Sequence, residues 1–186
     1  MRKLRGITVV IFISLLFATF SWAEEAPQKV VDLAYKTLAK YGTDPVIVRA
    51  VKAQNAMGKS LGDIKAMDEK WRKTPGIADF MEKLMVSDCG KHLTEIMESE
   101  EYYSEIFVMD DKGANVAMSD KTSDYWQGDE KKFIRSYAEG KGSVFVDAVE
   151  FDDSTQAYLV QVSVPVTEGG KAIGAITFGI NVDKIE

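Results

Sequence analysis

The apolar residues of this chain change their spacing at Glu105, and this change limits the folds open to it. Between Ala26 and Glu100 they recur every three or four residues, which is typical of amphipathic helices. Turn signals at Gly42-Thr43-Asp44-Pro45 and Thr74-Pro75-Gly76 divide this part into several helices. From Glu105 onward apolar and polar residues alternate, which is typical of strands. Helices followed by strands predict the α+β class.

The second half of the chain predicts a five-stranded antiparallel sheet, because hairpin-type turns join most of its strands. One connection instead contains a short helix, expected over residues 129–138. The strands are expected at residues 106–109, 115–119, 143–151, 156–166 and 171–182. No linker rich in Gly, Ser or Pro separates the helical part, residues 24–104, from the sheet part, residues 105–186. We therefore expect one domain, with the helices on one face of the sheet.

The N-terminus has the pattern of a secretory signal peptide. Arg2, Lys3 and Arg5 precede an apolar run over residues 7–20, which is short for a membrane span, and small residues up to Ala23 follow it. We therefore expect cleavage after Ala23 and export to the periplasm. A retained membrane anchor is the alternative.

Charge excludes one class of partner. The whole chain has 23 basic and 29 acidic residues, and removal of residues 1–23 leaves 20 basic against 29 acidic residues, a net charge of −9. Such a surface is poorly suited to nucleic acid or to anionic lipid. Cys89 is the single cysteine of the chain, so no internal disulfide forms and the core alone must stabilise the fold.

The segment from Thr122 to Glu130 combines two aromatic residues, an amide and three carboxylates at a turn before the predicted helix. This mixture is suited to gripping a small polar molecule, and we interpret the segment as part of a binding site. In the alternative interpretation, Tyr125 and Trp126 simply fill the core.

We expect neither catalysis nor a cofactor. Two of the three carboxylates, Asp129 and Glu130, are expected in the first turn of the helix, where capping explains them without acid–base chemistry. Cys89 and His92 lie three residues apart on an apolar helical stripe, which supplies too few ligands for a zinc or haem site. A buried thiol and a hydrogen-bonded histidine are expected instead.

Two of the predicted strands each have a face of small, partly polar residues. Gln161 and Ser163 lie opposite a row of valines in the fourth strand, and Thr177 and Asn181 share a face of the fifth strand. Buried polar groups need hydrogen-bond partners, so one interpretation is a lined cavity over the sheet. The alternative is that this face is exposed to solvent.

Several segments together resemble a single Cache domain. They are Phe107-Val108-Met109-Asp110-Asp111-Lys112-Gly113, Ser123-Asp124-Tyr125-Trp126-Gln127-Gly128-Asp129, Gln161-Val162-Ser163-Val164-Pro165-Val166 and Ile173-Gly174-Ala175-Ile176-Thr177. Cache domains are the extracytoplasmic, PAS-like ligand-sensing modules of bacterial chemoreceptors and sensor kinases. The resemblance covers residues 100–186 well and implies a PAS-like antiparallel sheet with an N-terminal helical layer.

The same resemblance implies where a ligand lies. In that family a small metabolite sits between the central strands and the loop and helix that follow the second strand. The matching positions are Tyr125 and Trp126 as pocket walls, Asp124, Gln127 and Asp129 as polar contacts or helix caps, Lys132 or Arg135 as a cation for a carboxylate, and Asp147, Gln161, Ser163 and Thr177 from the sheet. The signature of amino-acid-binding double Cache domains is not recognisable, so the ligand class is not implied.

The expected function is that of a periplasmic sensor, not an enzyme, which binds an organic acid, an amino acid or a similar metabolite. Because no output domain follows the last strand, we expect the signal to pass to a membrane chemoreceptor or sensor kinase, and a homodimer is left open. The rival hypothesis is a structural or assembly protein of the cell envelope. An enclosed pocket with convergent polar groups favours the sensor, whereas an exposed apolar or aromatic patch favours the rival.

Overall fold

A computed structural model describes residues 24–153 and 156–185. The predicted signal peptide, residues 1–23, lies outside the described residues, and so does part of the loop predicted at residues 152–155. In the described part of the chain, no helix combines the length and the apolar character that crossing a membrane requires.

The described residues form six α-helices and five strands. The helices are α1 (Gln28–Lys36), α2 (Pro45–Ala56), α3 (Leu61–Lys73), α4 (Asp79–Met85), α5 (Asp88–Glu98) and α6 (Lys131–Tyr137), with short 3-10 helices at Leu38–Thr43 and Ala138–Gly140. The strands are β1 (Tyr103–Met109), β2 (Asn115–Met118), β3 (Phe145–Asp152), β4 (Ala157–Glu168) and β5 (Lys171–Asn181).

The strands form one antiparallel sheet in the order β2-β1-β5-β4-β3. The last strand, β5, therefore lies between β1 and β4 in the middle of the sheet. The predicted α+β class and the PAS-like five-stranded antiparallel sheet are confirmed.

Side-chain caps start two of the N-terminal helices where the sequence predicts them. Asp44 Oδ1 accepts a hydrogen bond from the Val46 amide, and Pro45 is the first residue of α2. Ser60 Oγ accepts from the Asp63 amide at the start of α3. These caps end the preceding turns, so α2 and α3 can follow different directions across the sheet.

One face of the sheet is covered by α1, α2, α5 and the first 3-10 helix. The valine row of β4 points to this face and is buried, as the alternation predicts. Val51 of α2 and Leu93 of α5 are fully buried in the same cluster. Removal of this apolar surface from water is the main force that holds these helices on the sheet.

The second face of the sheet is covered by α3, by α6 and by the loop before α6. Trp71 of α3 is buried in one cluster with Phe107 of β1, Tyr125 of the loop and Phe133 of α6. The expectation that the N-terminal helices lie on one face is therefore wrong for α3, and Met81 of α4 is buried in the same cluster. Ile64 and Trp71 form an apolar stripe on α3 that is buried only against the second face.

Candidate functional site

A cavity of about 500 Å³, the main cavity, opens over the second face of the sheet. Side chains of β1 and β4 form its floor, the loop of residues 119–130 forms a wall, and α3, α6 and the end of β3 add further residues. This is the position at which the family resemblance implies a ligand.

The floor of the main cavity is organised around Gly179 in β5. Glu105 of β1 and Gln161 of β4 both pair with Gly179, so the three residues form a row across the sheet. A Cβ atom on Gly179 would lie 2.6 Å from Glu105 Cγ, so the glycine makes room for the Glu105 side chain. Gln161 Nε2 donates to Glu105 Oε1 over 3.0 Å. Two strands that are not neighbours are thus linked through their side chains.

Helix α3 holds the loop that forms the wall. Asp68 Oδ1 accepts hydrogen bonds from the amides of Tyr125 at 2.9 Å and Trp126 at 3.1 Å. Trp71 Nε1 donates to the Thr122 carbonyl over 2.8 Å. The rings of Trp71 and Tyr125 also pack together, with centroids 5.6 Å apart. Helix α3 therefore holds the loop by hydrogen bonds to its backbone and by the contact between the two aromatic rings.

The turn between β1 and β2 holds the loop from a second direction. The Asn115 amide donates to the Tyr125 carbonyl over 2.9 Å, and the Gln127 amide donates to the Gly113 carbonyl over 2.8 Å. Gly113 has a φ of +81°, and a Cβ atom there would lie 2.5 Å from Gly128 Cα. Only glycine allows this left-handed backbone and this close approach.

Gln127 carries a buried acceptor that the described residues leave unused. Its side chain lines the main cavity and is 1 % exposed. Nε2 donates to the Asp124 carbonyl over 2.9 Å, whereas Oε1 accepts no hydrogen bond from any described residue. Because a carbonyl oxygen only accepts, the partner of Nε2 fixes the orientation of the amide.

The cation of α6 is already neutralised within the protein. Lys132 Nζ lies 2.8 Å from Glu130 Oε2 and 5.4 Å from the centre of the Phe107 ring. The expected capping role of Asp129 and Glu130 is wrong, because both precede α6 and Glu130, at the cap position, makes no side-chain cap hydrogen bond. The Glu130 carboxylate pairs with Lys132 instead.

The two other cations of the main cavity are also engaged. Arg72 pairs with Asp68 at 3.1 Å and lies 3.6 Å from Asp124 Oδ1. Lys121 Nζ donates to the carbonyls of Thr74 at 3.0 Å and Gly76 at 2.7 Å. Arg72 therefore links Asp68, which holds the loop backbone, to the Asp124 side chain of the loop. Lys121 connects the start of the loop to the residues that follow α3.

Burial raises the pKa of the Glu105 carboxyl above its ordinary value of 4.5. Lys132 and the hydrogen bond from Gln161 lower this pKa, whereas Asp152 and Glu130 add to the rise. The net direction of this pKa is upward, so the charged form of Glu105 is disfavoured.

Two further cavities with polar linings adjoin the main cavity. A second cavity of about 520 Å³ lies towards α3 and shares Arg72 and Glu130 with the main one. A third, of about 170 Å³, lies towards β3 and shares Lys132 and Gln161 with it, among others. The three cavities thus form one polar region over the sheet.

The structure brings seven of the predicted site residues to this region. Gln127, Lys132 and Gln161 line the main cavity, Asp124, Trp126 and Asp129 line the second, and Asp147 lines the third. Their roles as ligand contacts remain a prediction.

The other four predicted residues lie elsewhere. Tyr125 is buried in the core, as the alternative interpretation of the loop expects. Ser163 and Thr177 are fully buried and their hydroxyl oxygens lie 2.7 Å apart, so each supplies the partner of the other. Arg135 is exposed on α6, outside the lining of the main cavity.

Several lining residues escaped the sequence reasoning, above all Glu105 and Arg72. The predicted first strand begins at Ile106, whereas β1 begins at Tyr103 and places Glu105 on the same face as Phe107. The alternation already starts at Glu105, and extending the predicted strand by one residue would have placed Glu105 on this face. The position of Arg72 depends on how α3 crosses the loop, for which no sequence signal exists.

The apolar stripe of α5 is placed as expected. Cys89 is buried, and burial raises the pKa of its thiol to about 12. His92 Nε2 lies 3.1 Å from Asp44 Oδ2, which gives the ring a hydrogen-bond partner. Among the described residues, no group of three or more His, Cys, Asp or Glu side chains is arranged to hold a metal ion.

Comparison with known proteins gives weak structural similarities. No protein-family model and no curated protein matches the chain. The sensor domain of the V. cholerae histidine kinase DctB is similar, with 14% identity over 85% of this chain and 52% of that chain and a TM-score of 0.46. The sensory domain of the Campylobacter jejuni chemoreceptor Tlp3 with isoleucine bound is also similar, with 16% identity over 84% of this chain and 64% of that chain and a TM-score of 0.42.

A third similar structure is the ligand-binding domain of the Pseudomonas aeruginosa PAO1 chemoreceptor PctC in complex with GABA, with 13% identity over 67% of this chain and 58% of that chain and a TM-score of 0.37. The chain spans between about half and two thirds of these domains. At such identities and TM-scores the similarity establishes neither a ligand nor a signalling partner for this chain.

Proposed function

We propose that this chain is an extracytoplasmic, Cache-like sensor module that binds a small organic molecule non-covalently in the main cavity. The signal-peptide pattern of residues 1–23 supports a periplasmic location. Organic acids, amino acids and similar small metabolites are the candidate ligands. The proposal assigns no catalytic step to any residue.

The convergence of polar side chains on one cavity carries the proposal. Glu105 and Gln161 come from the floor, Gln127 from the loop and Lys132 from α6. Small-molecule sites are concave, largely preformed and supplied with a few convergent polar groups, and their volumes run from about 300 to 1,000 Å³. The main cavity has a volume in this range and several convergent polar groups, and Phe107 is the apolar side chain of its lining.

The anchors of the loop suggest how binding is transmitted. A ligand that contacts Gln127 and the floor together ties the loop to the sheet, and α3 follows because Asp68 holds the loop backbone. A ligand that prefers the closed arrangement shifts the population towards it. We infer that a membrane chemoreceptor or sensor kinase, or a second copy of the chain, reads the altered surface.

One observation favours the rival hypothesis of an envelope structural or assembly protein. Phe151 is 49 % exposed and Tyr158 is 52 % exposed, and their rings lie 5.2 Å apart on neighbouring strands. An exposed aromatic pair suits contact with another protein. A pair of rings is a small patch, however, and the polar cavity beside it favours the sensor.

A thermal-shift screen of the purified protein against organic acids, amino acids and amines tests the proposal, with hits confirmed by calorimetry. A ligand of the native state raises the melting temperature saturably. Gln161→Ala removes an amide from the floor and is expected to weaken a hit. Gln28→Ala, on the exposed side of α1, is the matched control and is expected to leave it unchanged. If no compound of the panel raises the melting temperature, the sensor proposal is overturned, and crosslinking for an envelope partner is the next experiment.

A further inference from the structure

We infer that the main cavity takes a ligand with a positively charged ammonium group, an organic amine without a carboxylate. This inference rests on the proposed function, since it assumes that the cavity holds a small molecule. It narrows the candidate ligands by the charges and the unused hydrogen-bonding atoms of the site.

Carboxylates outnumber cations in the lining of each cavity. The main cavity has four carboxylates and three cations, the second has five and two, and the third has four and one. Carboxylates that share a site disfavour the ionised form of one another, and an added cation relieves this repulsion. A ligand with a negative charge would increase it.

The cations that line the main cavity are engaged by the protein. Lys132 pairs with Glu130, and Arg72 pairs with Asp68. Lys121 donates to two backbone carbonyls. Arg135, the other cation considered for a ligand carboxylate, is exposed outside the lining. An anionic ligand would therefore compete with the carboxylates that already pair with Lys132 and Arg72.

Two acceptors that line the main cavity have unused capacity for hydrogen bonds. Gln127 Oε1 is buried and accepts none from the described residues, and its orientation is fixed by the Asp124 carbonyl. Glu105 presents a carboxyl to the same cavity and receives one side-chain hydrogen bond, from Gln161. Acceptors without donors call for a ligand that donates, and an ammonium group has N–H donors and no acceptor. The buried amide oxygen is independent of the acidic lining and leads to the same ligand class.

A metal ion is a poorer occupant than an organic cation. No group of three or more His, Cys, Asp or Glu side chains in the described residues is arranged to hold one. A cavity of about 500 Å³ is also far larger than an ion needs, whereas it accommodates an alkyl chain beside the Phe107 ring.

The test compares 1,4-diaminobutane with succinate, two molecules of the same chain length and opposite charge, by calorimetry on the purified protein. We expect saturable binding of the diamine and none of the dicarboxylate at equal concentration. Glu105→Gln keeps the shape of the side chain and removes its charge. It is expected to weaken the diamine by about tenfold, the loss typical of one charged hydrogen bond.

Glu98→Gln is the matched control, because Glu98 is exposed on α5 at the opposite face of the sheet. Its affinity for the diamine is expected to equal that of the unchanged protein. Asp153→Asn, at an exposed residue of the main cavity, is expected to show a smaller loss, and it keeps the test decisive if Glu105→Gln does not fold.

Three outcomes overturn the inference. Diamine binding that neither cavity variant weakens would reflect attraction to an acidic surface. Succinate binding that Gln161→Ala weakens would contradict the charge assignment and leave the sensor proposal intact. Silence from both molecules would also reject the ammonium assignment, and the broader ligand screen would then decide the sensor proposal separately.

Discussion

The side-chain amide of Gln161 reaches across Gly179 and donates a 3.0 Å hydrogen bond to the carboxyl of Glu105. These two residues belong to β4 and β1, which β5 separates in the sheet. The contact exists because the residue between them has no side chain. Three features thus meet at the floor of the main cavity: a residue without a side chain at Gly179, the carboxyl of Glu105 and the amide donor of Gln161. Each can be changed by its own substitution.

The first prediction concerns the charge of Glu105, whose raised pKa makes stability depend on pH. The folded protein holds this proton more tightly than the unfolded chain, so the contribution of Glu105 is fully present below its ordinary pKa of 4.5 and is lost as pH rises through the folded value. Glu105→Gln is therefore expected to gain stability relative to the unchanged protein between pH 4.5 and pH 7.5, by about 1.4 kcal/mol for each tenfold difference in proton affinity between the folded and unfolded states.

Urea unfolding at both pH values measures this difference. Lys132, Glu130 and Asp152 also face Glu105, and they are present in both proteins, so their own titration largely cancels. Glu98→Gln, at an exposed residue of α5, is the control variant in the same measurement. An advantage of Glu105→Gln that is equal at both pH values would contradict the raised pKa.

The second prediction separates two glycines of β5. A Cβ atom on Gly174 would lie 2.2 Å from the Met109 carbonyl oxygen and 2.9 Å from Val51 Cγ1, which are parts of the rigid core. A Cβ atom on Gly179 would meet the Glu105 side chain, which can move. Overpacking costs about 1–3 kcal/mol, and we expect Gly174→Ala near the upper end and Gly179→Ala near the lower.

The effects of the two substitutions on ligand affinity are expected to have the opposite order. Gly179→Ala displaces Glu105 from the floor and is expected to weaken any ligand of the main cavity, whereas Gly174→Ala leaves the floor in place. Denaturant midpoints and calorimetry on both variants provide the comparison. Equal binding losses in the two variants would mean that stability, not the position of Glu105, controls affinity.

The sheet could be predicted because its signals are local. Alternation along β4 places the valines on one face and Gln161 and Ser163 on the other, and the Gly-containing turns mark the hairpins. The pairing of β1 with β5 does not follow from alternation, and the row from Glu105 to Gln161 exists only through it.

The site could be predicted only in part, because it depends on packing between distant segments. The loop with Tyr125 and Trp126 was found by composition, but composition does not decide which aromatic ring enters the core. Trp71 packs against the Tyr125 ring, whereas Trp126 lies at the surface of the second cavity. Trp71 lies more than fifty residues earlier in the chain, so no local pattern contains this contact.

The third prediction concerns Asp68, whose carboxylate holds the loop. Asp68→Ala leaves the amides of Tyr125 and Trp126 without their acceptor, and an unsatisfied buried donor costs about 1–3 kcal/mol. We expect a loss of about 2–4 kcal/mol in the free energy of unfolding and faster hydrogen exchange at these two amides. Glu69→Ala, at an exposed residue of the same helix, is expected to stay within about 0.5 kcal/mol. A loss without faster exchange would place the damage outside the loop.

The fourth prediction asks whether Ser163 and Thr177 serve a ligand or each other. Their hydroxyl oxygens lie 2.7 Å apart in a fully buried position, so each single change leaves one hydroxyl without its partner. Ser163→Ala and Thr177→Val are each expected to cost about 1–2 kcal/mol, and the double variant less than the sum, with a coupling of about 1 kcal/mol. Urea unfolding of the four proteins measures the cycle.

Ligand affinity supplies the second readout for this pair. Because both hydroxyls are used within the protein, the double variant is expected to bind a ligand of the main cavity as tightly as the unchanged protein does. Gln161→Ala, one row away in β4 and in contact with the cavity, is the positive control for a loss. Additive stability costs together with weaker binding would show that the hydroxyls contact the ligand directly, as the family resemblance implies, and that the cavity extends beneath α6 when it is occupied.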